Sequence, residues 1–456
     1  MAAYNANNLE TAHGLFAQAA RLAPYSALVM ISLGVTLRRL RRFPAAALCQ
    51  RRALAIDPNN GAAWSNLGNC LRDLEQHEES ESALRRAVEI DPTSPLFRFN
   101  LALLLRDRRK LAESEEILGK LVQECPTNAD YAWDYGLIKL QRGDYIGGFR
   151  HYEARWGLQR AEKRYVPGTR WTGEDLQGKT IFLHAEQGFG DALQFIRFVP
   201  FLKGRGAARV ILECQPELLE LFAAAPGVDQ VIAKQAAPPP YDVWAPLLSL
   251  PHILGITLET LPRTTPYLVP PKPLNMRVAL PPATKLTVGV VWAGKPTPRD
   301  RSWPLGKVMS LFGDPRIIAL SLQKGPRSED LVSEGVQGLI HDVSPMLNSF
   351  AETAAWMWHL DLIVTVDTSV AHLAGALGRP CWLLLRWVSD WRWFDEPEES
   401  VWYPNTRLFR QTHPDDWDGP VERMRAALNA LLQERLAVSP PRPIQPIATD
   451  KAESPS

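Results

Sequence analysis

Asp367-Thr368-Ser369 stands where an apolar run, Leu362 to Val366, gives way to a helical pattern from Ser369 to Leu377. Two hydroxyls and the unsatisfied N–H groups of a helix start then converge on one spot of partial positive charge, which suits a diphosphate. His372, one turn into the helix, is placed to donate to the same oxygens. The alternative is a capped helix followed by a core histidine. Gln323 and Lys324 close another apolar run and read either as further donors toward such a ligand or as a solvated strand end. Nearer the N-terminus, His184 and Glu186 follow the run Ile181-Phe182-Leu183, Gly188-Phe189-Gly190 turns the chain, and Asp191 opens the next helical pattern. His184 and Glu186 either line a cleft or pack at a strand end. In Asp390-Trp391-Arg392-Trp393, Trp391 is suited to stack on a sugar or base while Arg392 pairs with an anion.

Those residues need elements to carry them. From Thr180 onward, apolar runs of strand length alternate with helical periodicity: strand Thr180 to His184, helix Asp191 to Leu202, strand Arg209 to Leu212, helix Pro216 to Ala224, strand Gln230 to Ile232. After the proline-dense stretch Leu261 to Pro282 the alternation restarts. Strands are expected at Leu286 to Trp292, Ile317 to Leu322, Leu362 to Val366 and Cys381 to Leu385, with helices at Ser349 to His359 and Ser369 to Leu377 and a closing helix at Pro414 to Leu436. Such alternation implies parallel, Rossmann-like sheets. One motif among them is a decoy. Gly173 to Thr180, GEDLQGKT, satisfies the phosphate-loop pattern, but loop residues precede it and a strand follows, the reverse of the order a phosphate loop requires.

The first third has another organisation. Pro24, Pro58, Pro92 and Pro126 recur every 34 residues, in register with Leu33-Gly34, Leu67-Gly68, Leu101-Ala102 and Tyr135-Gly136. Trp64-x-x-Leu67-Gly68, Ala87 and Pro92 resemble the tetratricopeptide repeat, in which small residues let paired helices touch and proline ends the second helix. The register starts the chain inside the first helix of a repeat and ends the array in a divergent unit, Tyr131 to Trp156. The resemblance implies a short right-handed solenoid with a concave binding face. The column Ser32, Asn66, Asn100, Asp134 resembles the asparagine ladder of the eukaryotic O-linked N-acetylglucosamine transferase, which implies a grip on a polypeptide backbone through carboxamide donors and acceptors. Its alternative is a polar, exposed helix face. The run Arg38, Arg39, Arg41, Arg42 reads as a solvated helix end.

Two Rossmann-like halves across a linker suggest the GT-B architecture of glycosyltransferases, and three segments carry a resemblance to the family 9 glycosyltransferases, the heptosyltransferase group: His184 to Phe195, Arg299 to Pro304 and Asp367 to Pro380. The whole layout resembles bacterial fusions of tetratricopeptide repeats to such a transferase. The resemblance implies that Asp191 is the catalytic base, and that Arg301 stands where the family usually carries a lysine against the donor phosphates, a planar fork in place of a point charge. It also implies inversion, a nucleotide diphosphate sugar as donor, no metal and no further cofactor. His184, Glu186 and Gly190 fall on the acceptor side, with Asn66, Asn100 and Asp134 on the solenoid. Gln323, Lys324, Asp367, Thr368, Ser369 and His372 fall on the donor side.

The expected fold class is therefore multidomain: an all-α solenoid over 1–160, an acceptor-side α/β domain over 175–262, a linker over 263–285, a donor-binding α/β domain over 286–437 and a disordered tail over 438–456. Bulk properties fit. The 456 residues are 46% hydrophobic and 22% charged, with a net charge of +1 that excludes a whole-chain attraction to nucleic acid. No apolar stretch reaches membrane-spanning length, the five cysteines are scattered without a C-x-x-C pair, and no secretory signal opens the chain, so a cytoplasmic location is expected. Ten of the 15 tryptophans lie at or after Trp292; Trp356 and Trp358, on one helix, are expected in the core. Two other functions remain open: a scaffold whose transferase fold has lost turnover, and a transferase whose acceptor is a lipopolysaccharide or other glycan.

Overall fold

A computed structural model describes residues 8–159, 164–271, 285–296, 300–395 and 398–438. The opening of the first repeat, most of the linker, Arg299 and the tail from 439 lie outside the described residues.

The 34-residue period becomes a helical solenoid: α1 (Leu9–Leu22), α2 (Ala27–Arg39), α3 (Phe43–Ile56), α4 (Gly61–Asp73), α5 (His77–Ile90), α6 (Pro95–Asp107), α7 (Leu111–Glu124), α8 (Ala129–Gln141) and α9 (Tyr145–Tyr152). The period extends to features the proline spacing does not announce. Ser26, Asn60, Ser94 and Asn128 cap α2, α4, α6 and α8 by accepting from backbone N–H groups of the first turn. Within each helix pair, the turn is made by a left-handed residue at Arg41, Glu75, Arg109 and Gly143, with φ of 60°, 61°, 59° and 86°. Tight approach explains the small residues: a β-carbon on Gly68 would lie 2.4 Å from Leu84 Cγ. The arginine run is bonded into the array. Arg38 reaches Asp73 at 2.6 Å, Arg72 reaches Asp107 at 2.5 Å and Arg106 reaches Asp134 at 2.5 Å, while Arg42 pairs with Glu10 at 3.0 Å. The expectation of a solvated helix end is corrected for Arg38, which is half-buried, whereas Arg42 and its partner Glu10 remain exposed.

Two parallel sheets follow. The first holds β1 (Thr169–Arg170), β2 (Thr180–His184), β3 (Arg209–Cys214), β4 (Gln230–Ala233) and β5 (Val243–Pro246) in the order β1-β5-β2-β3-β4. The second holds β6 (Leu286–Val291), β7 (Ile317–Ser321), β8 (Ile340–Asp342), β9 (Leu362–Val366), β10 (Cys381–Leu385) and β11 (Thr406–Arg410) in the order β11-β10-β9-β6-β7-β8. That is the doubly wound order with its switch point between β6 and β9, where such sheets hold ligands outside their carboxyl ends. β8 and β11 were not anticipated, because three residues with two exposed in β8 and a charge-interrupted run in β11 give little apolar signal. The helices that matter below are α10 (Phe189–Phe195), α11 (Phe350–Trp358), α12 (Ser369–Ala376) and α13 (Asp418–Val438). α10 is shorter than the expected Asp191 to Leu202, the remainder being a 3-10 turn and a short helix. Trp356 is buried as expected, but Trp358 lies at the surface, 36% exposed.

The solenoid and the sheets pack together. One core cluster runs from Leu140, Tyr145, Phe149 and Tyr152 of the last repeat through the first sheet to Trp391, Trp393 and Trp402. The segment 386–395, which follows β10, is strapped to successive helix turns: Arg386 pairs with Glu75, Arg109 donates to Trp387 O at 2.7 Å, and Gln141 donates to Asp395 at 3.0 Å. Nor is the described part of the expected linker free. The N–H groups of Tyr267 and Leu268 both donate to Ala376 O at the end of α12, and Leu268 is buried.

Candidate functional site

α10 begins at the carboxyl end of β2 and α12 at the carboxyl end of β9, and the two helix starts meet. A β-carbon on Gly190 would lie 2.7 Å from His372 Cδ2 and 3.6 Å from Ser369 Cα. Gly294, just past β6, faces the same place, 3.3 Å from Thr368 Cγ2 by the same measure. The glycine turn of the first sheet, the Asp367-Thr368-Ser369 turn and the switch point of the second sheet therefore share one cleft.

Asp191 occupies it. Its Oδ2 accepts from Gly188 N at 3.1 Å, closing the turn, and its Oδ1 accepts from Arg392 at 2.7 Å; 22% of the side chain remains open to solvent. Burial pushes its carboxyl above the usual range, against the pull of Arg392, while Asp390 and Asp367 add to the rise. Arg301 donates to Asp367 at 2.8 Å, and Thr368 caps α12 through Val370 N. The cleft thus gathers Asp191, Asp367, Asp390, Arg301 and Arg392. A carboxylate with a solvent-facing edge stands opposite a helix start flanked by a guanidinium, which can accept a proton on one side and hold an anion on the other.

Several expected contacts fall elsewhere. His372 is buried, its Nδ1 2.8 Å from Tyr403 OH and its ring stacked on Trp393; burial, with Arg392 nearby, drops its pKa to about 3. The ring is thus held neutral with its Nδ1 taken by Tyr403, and its Cδ2–Nε2 edge is the part that faces Gly190. Gln323 spends its amide on the backbone, accepting from Trp292 N and Ala293 N and donating to Ala293 O and Lys324 O. It shapes the end of β6 rather than a ligand. Lys324 donates to Ser344 O at 2.9 Å. Trp391 is 4% exposed, packed among Tyr145, Phe149, Tyr152 and Trp402, which corrects the sugar-stacking expectation: the solenoid takes up its faces. Arg392 is buried and pairs with protein carboxylates.

On the first sheet, His184 is buried among Trp156, Phe182 and Trp244, and burial lowers its pKa to about 3. Glu186 binds Arg155 through both oxygens, at 2.8 and 3.1 Å, and accepts from Leu248 N at the switch point of that sheet. Burial raises its pKa, opposed by Arg155. Both residues build the strand ends. On the solenoid, Asn66 is half-buried, Asn100 donates to Ser65 Oγ at 2.9 Å and Asp134 is held by Arg106, so the column is partly spent on the array itself.

Arg392 as the partner of Asp191 was not legible, since 201 residues separate them. Nor was Arg197, a buried side chain that donates to Trp402 O, Pro262 O and Tyr267 OH and ties the two halves together. Among the described residues no group of three or more His, Cys, Asp or Glu could hold a metal ion. The string Asp416-Trp417-Asp418 resembles a metal-binding pair in spacing, but Asp416 caps α13 through Gly419 N and Asp418 pairs with Lys307.

Tetratricopeptide repeat models match residues 1–61 and 61–94. Protein FlbA of Caulobacter vibrioides is 27% identical over 325 residues, 64% of this chain and 53% of the relative, so the chain spans about half the length of the curated relative it matches. Among solved structures, YrrB, described as a TPR protein with an unusual peptide-binding site, is 22% identical over 34% of this chain and 81% of its own, with a TM-score of 0.29. PilF of Pseudomonas aeruginosa is 22% identical over 34% of this chain and 70% of its own, with a TM-score of 0.31. Among the described residues no helix is long and apolar enough to cross a membrane.

Proposed function

We propose that this tetratricopeptide-repeat protein is a GT-B glycosyltransferase that moves a sugar from a nucleotide diphosphate sugar to a protein held by its solenoid. The observation that carries the reading is the meeting of Gly190 with Ser369 and His372, which sets Asp191 against the Asp367-Thr368 turn. Asp191 takes the proton of the acceptor hydroxyl as that oxygen attacks the anomeric carbon. The bond to the diphosphate breaks on the opposite face, and the departing charge falls to Arg301, the Thr368 and Ser369 hydroxyls and the start of α12. A single displacement inverts the anomeric centre. No metal takes part in this reading.

Isothermal titration with a panel of nucleoside diphosphates tests donor recognition: one of them binds, and Arg301→Ala weakens it at least about tenfold. A folded protein that binds none sinks the donor half of the reading. A second reading, an interaction scaffold without turnover, draws on the occupation of both Asp191 oxygens by Gly188 and Arg392. Donor hydrolysis that disappears in Asp191→Asn separates the two. Mass spectrometry of glycoproteins from a deletion strain separates a protein acceptor from a lipopolysaccharide or other glycan.

A further inference from the structure

We infer that Arg392 is a positioning residue for Asp191, a buried guanidinium that holds the carboxylate ionised and aimed, and whose own place is set by the solenoid. The inference rests on the reading of Asp191 as the base. Arg392 is 7% exposed at its side chain and is fully engaged: it donates to Asp191 at 2.7 Å, to Asp390 at 2.8 Å and to Gln194 Oε1 at 2.5 Å, with the Trp391 ring beneath it. A guanidinium buried this deeply is costly unless carboxylates surround it. Burial works to lower its pKa, and Asp390 and Asp191 outweigh that, so it stays charged.

The planar fork spans two halves of the molecule, since Gln194 and Asp191 lie on α10 and Asp390 follows β10. Its anchorage is solenoidal. Arg392 sits within the segment that Glu75, Arg109 and Gln141 strap down, and Asp390 lies within electrostatic reach of Arg106, the solenoid residue that pairs with Asp134. The charged groups facing Asp191 are Arg392, Asp390 and Asp367, with Tyr152 close by. Arg392 is the cation among them that touches the carboxylate.

The test uses the full chain with Arg392→Gln and Arg392→Lys. The carboxyl carbon of Asp191 is followed by NMR through a pH titration and assigned by its loss in Asp191→Asn. Removing the guanidinium is expected to move the titration midpoint up by about one pH unit or more, a tenfold change in proton affinity, with Arg392→Lys in between. A midpoint that stays within about 0.3 of wild type overturns the inference. Arg392→Lys keeps the charge and loses the fork, so kcat for donor hydrolysis drops about tenfold or more while KM for the donor stays within about twofold; an unchanged kcat also overturns it. If wild type turns over no donor, the transferase reading fails by itself and the titration still decides. If Arg392→Gln does not fold, the lysine variant carries both measurements.

Discussion

Gly190 and His372 pack across the cleft so closely that a β-carbon on the glycine would sit 2.7 Å from the imidazole. The ring has no room to retreat, being stacked on Trp393 and hydrogen-bonded to Tyr403. Gly190→Ala should therefore cost about 1 to 3 kcal/mol as an overpacked contact and push the two helix starts apart. Thermal unfolding and donor titration check this: both Tm and donor affinity should fall. Gly188→Ala is the control, because its β-carbon would meet only Asp191 Oδ2 at 3.5 Å.

His184 and His372 are held neutral, each with its pKa lowered to about 3. Between the ordinary histidine value and that point the unfolded chain binds protons the folded chain refuses, so stability is full above about pH 6.5 and is lost as pH falls toward 3. Urea unfolding at pH 7.5 and pH 5 should show the loss, and His184→Gln should reduce its slope by nearly one proton. Equal slopes in wild type and variant would remove His184 from the account.

Asp191→Asn preserves shape and the turn made with Gly188. Donor hydrolysis and transfer should drop about a hundredfold or more, the contribution of a positioned base, with nucleoside diphosphate affinity within about threefold. Wild-type turnover in this variant would deny Asp191 the role. Because burial places its carboxyl above the usual range, wild-type activity should decline with acid at a higher pH than an exposed aspartate would dictate.

Arg109 joins solenoid to cleft by donating to Trp387 O at 2.7 and 3.1 Å while its guanidinium lies 3.7 Å from the centre of the Trp387 ring. Arg109→Ala should cost about 2 to 4 kcal/mol from the lost hydrogen bonds and cation contact. Hydrogen exchange should quicken in 386–395 more than in α4 or α6. Uniform quickening would show instead that the strap is not a separate unit.

Period and apolar runs made much of the architecture legible. Pro24, Pro58, Pro92 and Pro126 announce the array, and buried runs such as Leu362 to Val366 announce their strands, because local signals suffice where every neighbour repeats or every face is buried. Gly190 and the Asp367-Thr368-Ser369 turn were found by type and spacing, since a strand that hands over to a helix brings its turn to one edge, while Asp191 was singled out by the resemblance to the family 9 transferases. Side chains with more than one use were not decidable that way.

Sequence alone determined which residues stand at helix starts and strand ends, for that depends on neighbours a few positions away. Only the tertiary structure decided which of them face solvent and which are spent. Gln323 went to the backbone of β6, His372 to Tyr403 and Trp391 to the last repeat. Arg392, read from its segment as a ligand group, became the partner of Asp191. The reason is physical: burial makes each polar group seek a partner, and the partner that the chain brings within about 3 Å comes from another element, 30 residues away for Gln323, 31 for His372 and 201 for Arg392, where no spacing rule reaches.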